Sequence, residues 1–393
     1  MDQNERQKRI LMRRGFLLAM IFMGLWTAAS LVNAFFPKKA MSSSERRALA
    51  QFPKVSIGRL LDGRFEEDFE EYAKDQIMAR DALAALDVSA SRGLGNAYAS
   101  GVWIGRDGWL LEDPEIWTAE EAPSALEGVN RLAKDWGYDV TLAVIPEAAE
   151  ILPQKLPWAA NGAKLSKECR ASWEKLLSEK LQSGVTVCDV SEVMAAASEK
   201  EDVYYHTDHH WTTQGAMSAL PVIMKGLGGS AGEYKLLKVC SDFQGTLASI
   251  SGVHSAEDEI WIPVAADGKA EPVIVRVEGE EGLRTSVFSM EGLQSDDPYT
   301  VFMGGNYGKF TVTTGEAGKG TLLVLKDSYF NCLLPMLLKN YSEIVVVDPR
   351  YYDGDPEMLL LSMKGAKVLV CYSRATFLTD QSLGRLVPER TEN

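Results

Sequence analysis

Three of the four histidines in this 393-residue chain fall within one hexapeptide, His206-Thr207-Asp208-His209-His210-Trp211. Histidine titrates nearer neutrality than any other unperturbed side chain, so it is the usual proton carrier and a common metal ligand. A carboxylate two residues before an imidazole, on a loop entering a helix, can curve back onto Nδ1. That fixes the tautomer and leaves Nε2 as a base. A group for that base to activate occurs far downstream. The run Leu323-Val324-Leu325-Lys326-Asp327-Ser328-Tyr329 reads as a strand turning into an apolar helix, which places Ser328 at the helix N-terminus. Free backbone N–H groups and the helix dipole at such a turn suit an oxyanion. The competing reading of Ser328 alone is a helix N-cap.

Metal binding is the other chemistry open to the cluster, because His206, Asp208, His209 and His210 include plausible zinc ligands. The remaining histidine is His254, so a closed site would need distant carboxylates, and no metal is expected. His206 reads as a loop-positioning group and His209 as a support. Cys169, Cys188, Cys240, Cys332 and Cys371 form an odd, widely spaced set without CxxC, which implies buried small hydrophobes.

The elements that must position these residues alternate between strand and helix. Apolar strand-like runs occur at 140–146, 185–190, 321–326, 344–348 and 366–372, with helical stretches at 164–183, 213–226, 329–340 and 355–364. Short, fully apolar strands separated by helices indicate a parallel sheet covered on both faces. Thr212 or Thr213 is a fitting N-cap for the helix after the histidine loop, and Pro221 should kink that helix or shift its start. Further upstream, 62–85 and 123–136 read as helices, and 102–111 as a β-hairpin around Gly105-Arg106-Asp107-Gly108. Residues 235–315 interrupt the alternation with Gly- and Ser-rich sequence and β-like runs at 259–263, 272–277, 286–290 and 300–303. An antiparallel lobe over one edge of the sheet is expected there.

Net charge is −14, unevenly spread. Residues 1–40 carry seven Lys/Arg against two Asp/Glu, and the remainder carries 34 against 53, a net −19. That acidic body argues against nucleic acid as a partner. At the N-terminus, Lys8, Arg9, Arg13 and Arg14 precede an uncharged run of 22 residues, Gly15 to Phe36. About 20 apolar residues cross the hydrocarbon core, and the upstream basic cluster predicts a cytoplasmic N-terminus. The expected layout is a basic tail over 1–14, a transmembrane signal anchor over 15–36, a linker over 37–60 and an extracytoplasmic catalytic domain over 61–393. A cleaved signal peptide ending near Val32-Asn33-Ala34 is the alternative.

Asp208-His209-His210-Trp211 is the signature of the DHHW family, and the chain resembles the SGNH-hydrolase-like domains of bacterial alginate O-acetylation proteins. The resemblance also rests on the 102–111 hairpin, residues 144–151, Asp242-Phe243-Gln244-Gly245-Thr246-Leu247, Gly304-Gly305-Asn306-Tyr307-Gly308 and Lys326-Asp327-Ser328-Tyr329. It implies an SGNH/flavodoxin-like three-layer α/β/α core with a mostly parallel sheet and a β-rich insert. It also implies Ser328 as nucleophile, His210 as base, Asp208 as orienter and Trp211 as a wall of the site. The implied reaction is O-acetyl transfer to a cell-surface or cell-wall polysaccharide without a dissociable cofactor. The acetyl donor would come through a membrane partner of the MBOAT type. An acetyl esterase and a non-catalytic glycan-binding or scaffold protein are the alternatives.

Two departures stand out. Lys326 replaces the glycine of the usual Gly-Asp-Ser. The slots expected to hold the oxyanion Gly and Asn read Asp348-Pro349-Arg350-Tyr351-Tyr352 and Cys371-Tyr372-Ser373-Arg374, which contain neither. Arg350 and Asn306 are the candidate replacement donors. Tyr204, Tyr205, Trp211, Tyr329, Tyr351 and Tyr352 are aromatic candidates for sugar contact.

Overall fold

The computed structural model describes residues 3–35, 37–39, 41–42, 47–61, 63–77, 95–254 and 256–390, together with Leu86, Ala90 and Gly93. The chain divides into two compact units, Met1–Ala90 and Ser91–Asn393. The first holds a long helix, Gln3–Phe35, a two-stranded antiparallel ladder of β1 (Met41–Ser42) and β2 (Arg47–Ala48), and helices Ile57–Leu61 and Arg64–Asp75. The helix expected over 62–85 covers only Arg64–Asp75, and 78–85 lies outside the described residues. Among the described residues no helix is long and apolar enough to cross a membrane, so the transmembrane expectation finds no support there.

The second unit is built on a seven-stranded sheet. Its strands are β6 (Asp139–Ile145), β7 (Val185–Val187), β10 (Val273–Val277), β11 (Lys309–Thr314), β12 (Thr321–Lys326), β13 (Glu343–Val347) and β14 (Lys367–Ser373), in the order β10-β11-β13-β12-β14-β6-β7. The five strands from β13 to β7 are mutually parallel, and β11 joins β13 antiparallel. Successive residues of β12 feed opposite cores. Leu322 and Val324 join one cluster, and Leu323 and Leu325 the other. One face packs helix Thr213–Gly226 through Ala216, Leu220 and Ile223, and the other packs helix Ser124–Lys134 through Leu126, Val129 and Leu132. This is the expected three-layer arrangement, and it explains why the strands read as unbroken apolar runs.

The insert departs from expectation. β8 (Tyr234–Phe243) and β9 (Asp258–Ala265) form a separate antiparallel hairpin, whereas β10 and β11 extend the central sheet itself. Residues 286–290 and 300–303 are not strands. They meet only in an isolated bridge between Phe288 and Phe302, and Pro298 opens a 3-10 turn, Pro298–Val301. The stretch 329–340 is three 3-10 turns, Ser328–Cys332, Leu334–Met336 and Leu338–Asn340, rather than one α-helix. Pro335 supplies no N–H and its ring obstructs the preceding turn, which stops α-helical propagation. Pro221, by contrast, sits inside helix Thr213–Gly226 without ending it.

Candidate active site

Ser328 follows β12, Asp348 follows β13, Arg374 follows β14 and Glu147 follows β6, so parallel strand direction gathers all four at one edge of the sheet. The histidine loop arrives from the side. β4 (Val102–Ile104) pairs antiparallel with both β3 (Tyr98–Ala99) and β5 (Leu110–Glu112), and Leu110 donates its amide to the His206 carbonyl at 2.8 Å. Asp258 fixes the loop from the other side. It accepts from the His206 amide, the Thr207 amide and the Thr207 hydroxyl at 2.8, 2.8 and 2.5 Å. Thr212 caps the following helix by accepting from the Gly215 amide at 3.0 Å.

Within this frame His210 Nδ1 lies 2.6 Å from Asp208 Oδ1, and His210 Nε2 lies 2.8 Å from Ser328 Oγ. Asp208 is buried, and its other oxygen accepts from the Thr246 amide at 2.7 Å. A Cβ on Gly245 would stand 2.1 Å from that of Asp208, so only glycine lets the 242–247 segment approach so closely. Burial alone would raise the Asp208 carboxyl, yet the adjacent His209 and His210 and the Thr246 amide hold it well below the ordinary carboxylate range. His210 is shifted below the usual imidazole value, first by burial and then by His209, against the pull of Asp208. A lowered value keeps the ring neutral, as a base requires.

His210 is sandwiched between rings. Tyr299 stacks on it at 4.0 Å and 14°, and His209 lies 4.0 Å away at 34°. The Tyr299 hydroxyl donates to the Ser328 carbonyl at 3.3 Å, so this tyrosine touches both residues. Nothing in its local sequence marks it out. The signal for Gly245 and Thr246 was the segment 242–247, and Asp258 carried none.

Lys326 is wholly buried. Its ammonium donates to Asn306 Oδ1 at 2.9 Å and Asn331 Oδ1 at 3.0 Å, and lies 3.2 Å from Asp348 Oδ2. Three acceptors match three N–H donors. Burial pushes the Lys326 pKa down, and Asp348 opposes that shift. Asn306 is exposed at the end of a turn with φ +66° at Met303, +89° at Gly304 and +130° at Gly305. With Oδ1 held by Lys326 and by Asn331 Nδ2, its own Nδ2 meets no protein acceptor among the described residues.

Other expected positions resolve differently. Trp211 is fully buried and donates its indole N–H to the Tyr329 carbonyl at 2.8 Å, so it ties two segments together rather than walling a cleft. Tyr204, Tyr205 and Tyr329 are likewise buried, whereas Tyr351 is 54% exposed. Tyr329 donates its hydroxyl to the His209 carbonyl. The Tyr329 and Phe330 amides that follow Ser328 are not free. Asp327 Oδ1 takes the Tyr329 amide at 3.0 Å and Asp327 O the Phe330 amide, while Oδ2 binds Ser373. Arg350 gives Nε and Nη2 to Asp348 at 2.9 and 2.8 Å. His206 packs on Trp109, with ring centroids 4.1 Å apart, and reaches Asp202 at 3.2 Å. Asp208, His209 and His210 are close enough together to hold an ion, but Asp208 and both ring nitrogens of His210 are already engaged in hydrogen bonds.

Residues 102–255 match the family model of the SGNH hydrolase-like domain of the acetyltransferase AlgX. The matched stretch contains Asp208 and His210 and ends before Ser328. The chain is 29% identical over 203 residues to the probable alginate O-acetylase AlgJ of Pseudomonas aeruginosa, which covers 49% of each protein. The chain thus spans about half the length of the curated relatives it matches. Two solved structures share the fold. A DHHW family protein from Eubacterium siraeum aligns with TM-score 0.56 and 18% identity, over 75% of this chain and 98% of its own. Bacillus cereus PatB1 with a sulfonyl adduct aligns with TM-score 0.56 and 19% identity, over 72% of this chain and 98% of its own. The resemblance to DHHW and alginate-acetylation proteins is thereby borne out.

Proposed function

We propose that this protein transfers an acyl group, acetyl by analogy with its relatives, to a hydroxyl of an extracytoplasmic polysaccharide. The observation that carries the reading is the continuous hydrogen-bonded line Asp208–His210–Ser328. In the first step Ser328 Oγ attacks the acyl carbonyl and its proton passes to His210 Nε2, while Asp208 holds Nδ1–H. The donor's leaving group departs with that proton, and Ser328 is acylated. A sugar hydroxyl then attacks the acyl-enzyme and loses its proton to His210, and Ser328 leaves as a restored hydroxyl. Asn306 Nδ2, oriented through Lys326, is the side-chain donor we assign to the developing oxyanion. Arg350 is the weaker candidate because Asp348 already holds it.

Ser328 is partly exposed, which leaves room for water as the second nucleophile and makes an acetyl esterase the alternative. Incubating the protein with an acetyl ester and a polysaccharide separates the two. Acetylated sugar is expected. Free acetate at an unchanged rate, whatever the saccharide concentration, would favour the esterase.

The extracytoplasmic setting rests on the uncharged run from Gly15 to Phe36 behind its basic cluster, and on helix Gln3–Phe35, where Phe16, Leu17, Leu18 and Phe22 are at least 60% exposed. We propose that the uncharged run from Gly15 to Phe36 anchors the catalytic part, 61–393, outside the cytoplasm. A partner of the MBOAT type that carries the acetyl group across the membrane belongs to the same proposal. Protease accessibility of the catalytic part in intact cells tests the topology.

A further inference from the structure

We infer that the acceptor is an uncharged saccharide, held in a groove formed by residues 280–307 beside Ser328. The inference rests on the acyl-transfer reading above and adds to it the chemical class of the acceptor. The groove has a volume of about 910 Å³, within the range of ligand sites. Two stretches of the lining adjoin residues of the candidate site. Thr300 lines it and follows Tyr299, whose ring stacks on His210. Gly304 and Tyr307 line it and flank Asn306, which Lys326 holds two positions before Ser328.

The lining mixes the apolar Phe288 and Met290 with the hydroxyls of Thr285, Ser286 and Ser289, whereas those of Ser295 and Thr300 are held by the Gly292 and Asp297 carbonyls. That mixture suits a sugar, which presents C–H faces and hydroxyl edges. Its charges decide between classes of sugar. Arg284 is the cation of the lining, and its guanidinium is spent within the protein. Nη2 meets both oxygens of Glu280 at 2.6 and 2.5 Å and the Tyr307 hydroxyl at 3.0 Å, and Nη1 meets the Met303 carbonyl at 3.1 Å. Glu291 adds a second carboxylate to the lining, leaving it net negative. The cations at the neighbouring sheet edge are paired too, Lys326 and Arg350 with Asp348 and Arg374 with Glu150. A polyuronate would bring one carboxylate per residue into this field with no unpaired guanidinium in the lining to receive it. A neutral chain meets no such repulsion.

The test measures binding to the full chain carrying Ser328→Ala, so that it does not depend on turnover. The probes are neutral hexamers of glucose and of N-acetylglucosamine against a hexamer of mannuronate. At least one neutral hexamer should bind at least about tenfold tighter than the uronate at low salt, and high salt should narrow the gap by screening. Ser289→Trp, which fills the groove, should weaken the neutral ligand. Met290→Lys, at an exposed position, should strengthen the uronate. Tighter uronate binding at low salt, no binding by either neutral hexamer, or indifference to both substitutions overturns the inference. Acylation of Ser328 in the unmodified protein is scored separately, so failure of the acceptor assignment is distinguishable from failure of the serine mechanism.

Discussion

His210 Nε2 stands 2.8 Å from the hydroxyl oxygen of Ser328 across 118 residues of sequence. The contact exists because a strand end and a helix-entry loop are each fixed independently. Asp327 anchors the serine turn to Ser373, and Asp258 anchors the histidine loop.

Activity should depend on neutral His210. Its pKa is depressed, chiefly by burial and next by His209, so the rate should fall with pH only below the ordinary imidazole value near 6.5. In His209→Gln a source of that depression is gone, and the acidic limb of the kcat/KM profile should move upward. An unmoved limb would show that His209 does not influence the base.

Asn306→Ala should reduce kcat on the order of 100-fold, the loss typical of one oxyanion donor, and should also lower stability by about 1–3 kcal/mol, because it takes one of three acceptors from the buried Lys326 ammonium. Lys326→Met should lower kcat as well, since the amide of Asn306 loses its main anchor. A KM effect with kcat unchanged in both variants would assign these residues to ground-state binding instead.

Gly245→Ala should be disproportionately harmful. The new methyl would collide with Asp208 and force either the 242–247 segment or the carboxylate to move, at about 1–3 kcal/mol of overpacking. Loss of esterase activity together with a lowered melting temperature is expected. Wild-type behaviour would mean that the approach of the two segments is looser than 2.1 Å between Cβ positions allows.

The buried carboxyl of Glu147 predicts a pH-dependent stability. Burial, only partly countered by Arg374, raises it to about 8, so the folded protein retains a proton that the unfolded chain releases near pH 4.3. Its contribution therefore becomes less favourable as pH rises between those values, by on the order of a few kcal/mol. Glu147→Gln keeps the acceptor for the Ala375 amide and removes the titration. Thermal melts from pH 5 to 9 should show the variant gaining on the wild type as pH rises. A constant difference would contradict the burial argument.

Much of this was legible in the sequence because local rules agree with the fold. The parallel strands β12, β13 and β14 are apolar over their central residues, Thr212 is an N-cap in place, and the two chemically unusual segments carry their own residue types. Less legible were contacts made between distant segments. Tyr299 and Asp258 reach the site only after the chain has folded around them, and neither the partners of β10 nor those of β11 follow from alternation. The run after Ser328 looked helical by periodicity, but Pro335 prevails over it. Arg350 looked like a free donor until its pairing with Asp348 was visible.

The central claim is that Ser328 is a nucleophile made reactive by His210. The most direct measurement is labelling of the full chain with a serine-directed fluorophosphonate, followed by mass mapping of the modified peptide. The adduct should fall on Ser328 and vanish in Ser328→Ala, and its rate should fall on the order of 10⁴-fold in Asp208→Asn, where the imidazole loses its orienting carboxylate. An adduct on another residue, or labelling that persists in Ser328→Ala, would contradict it.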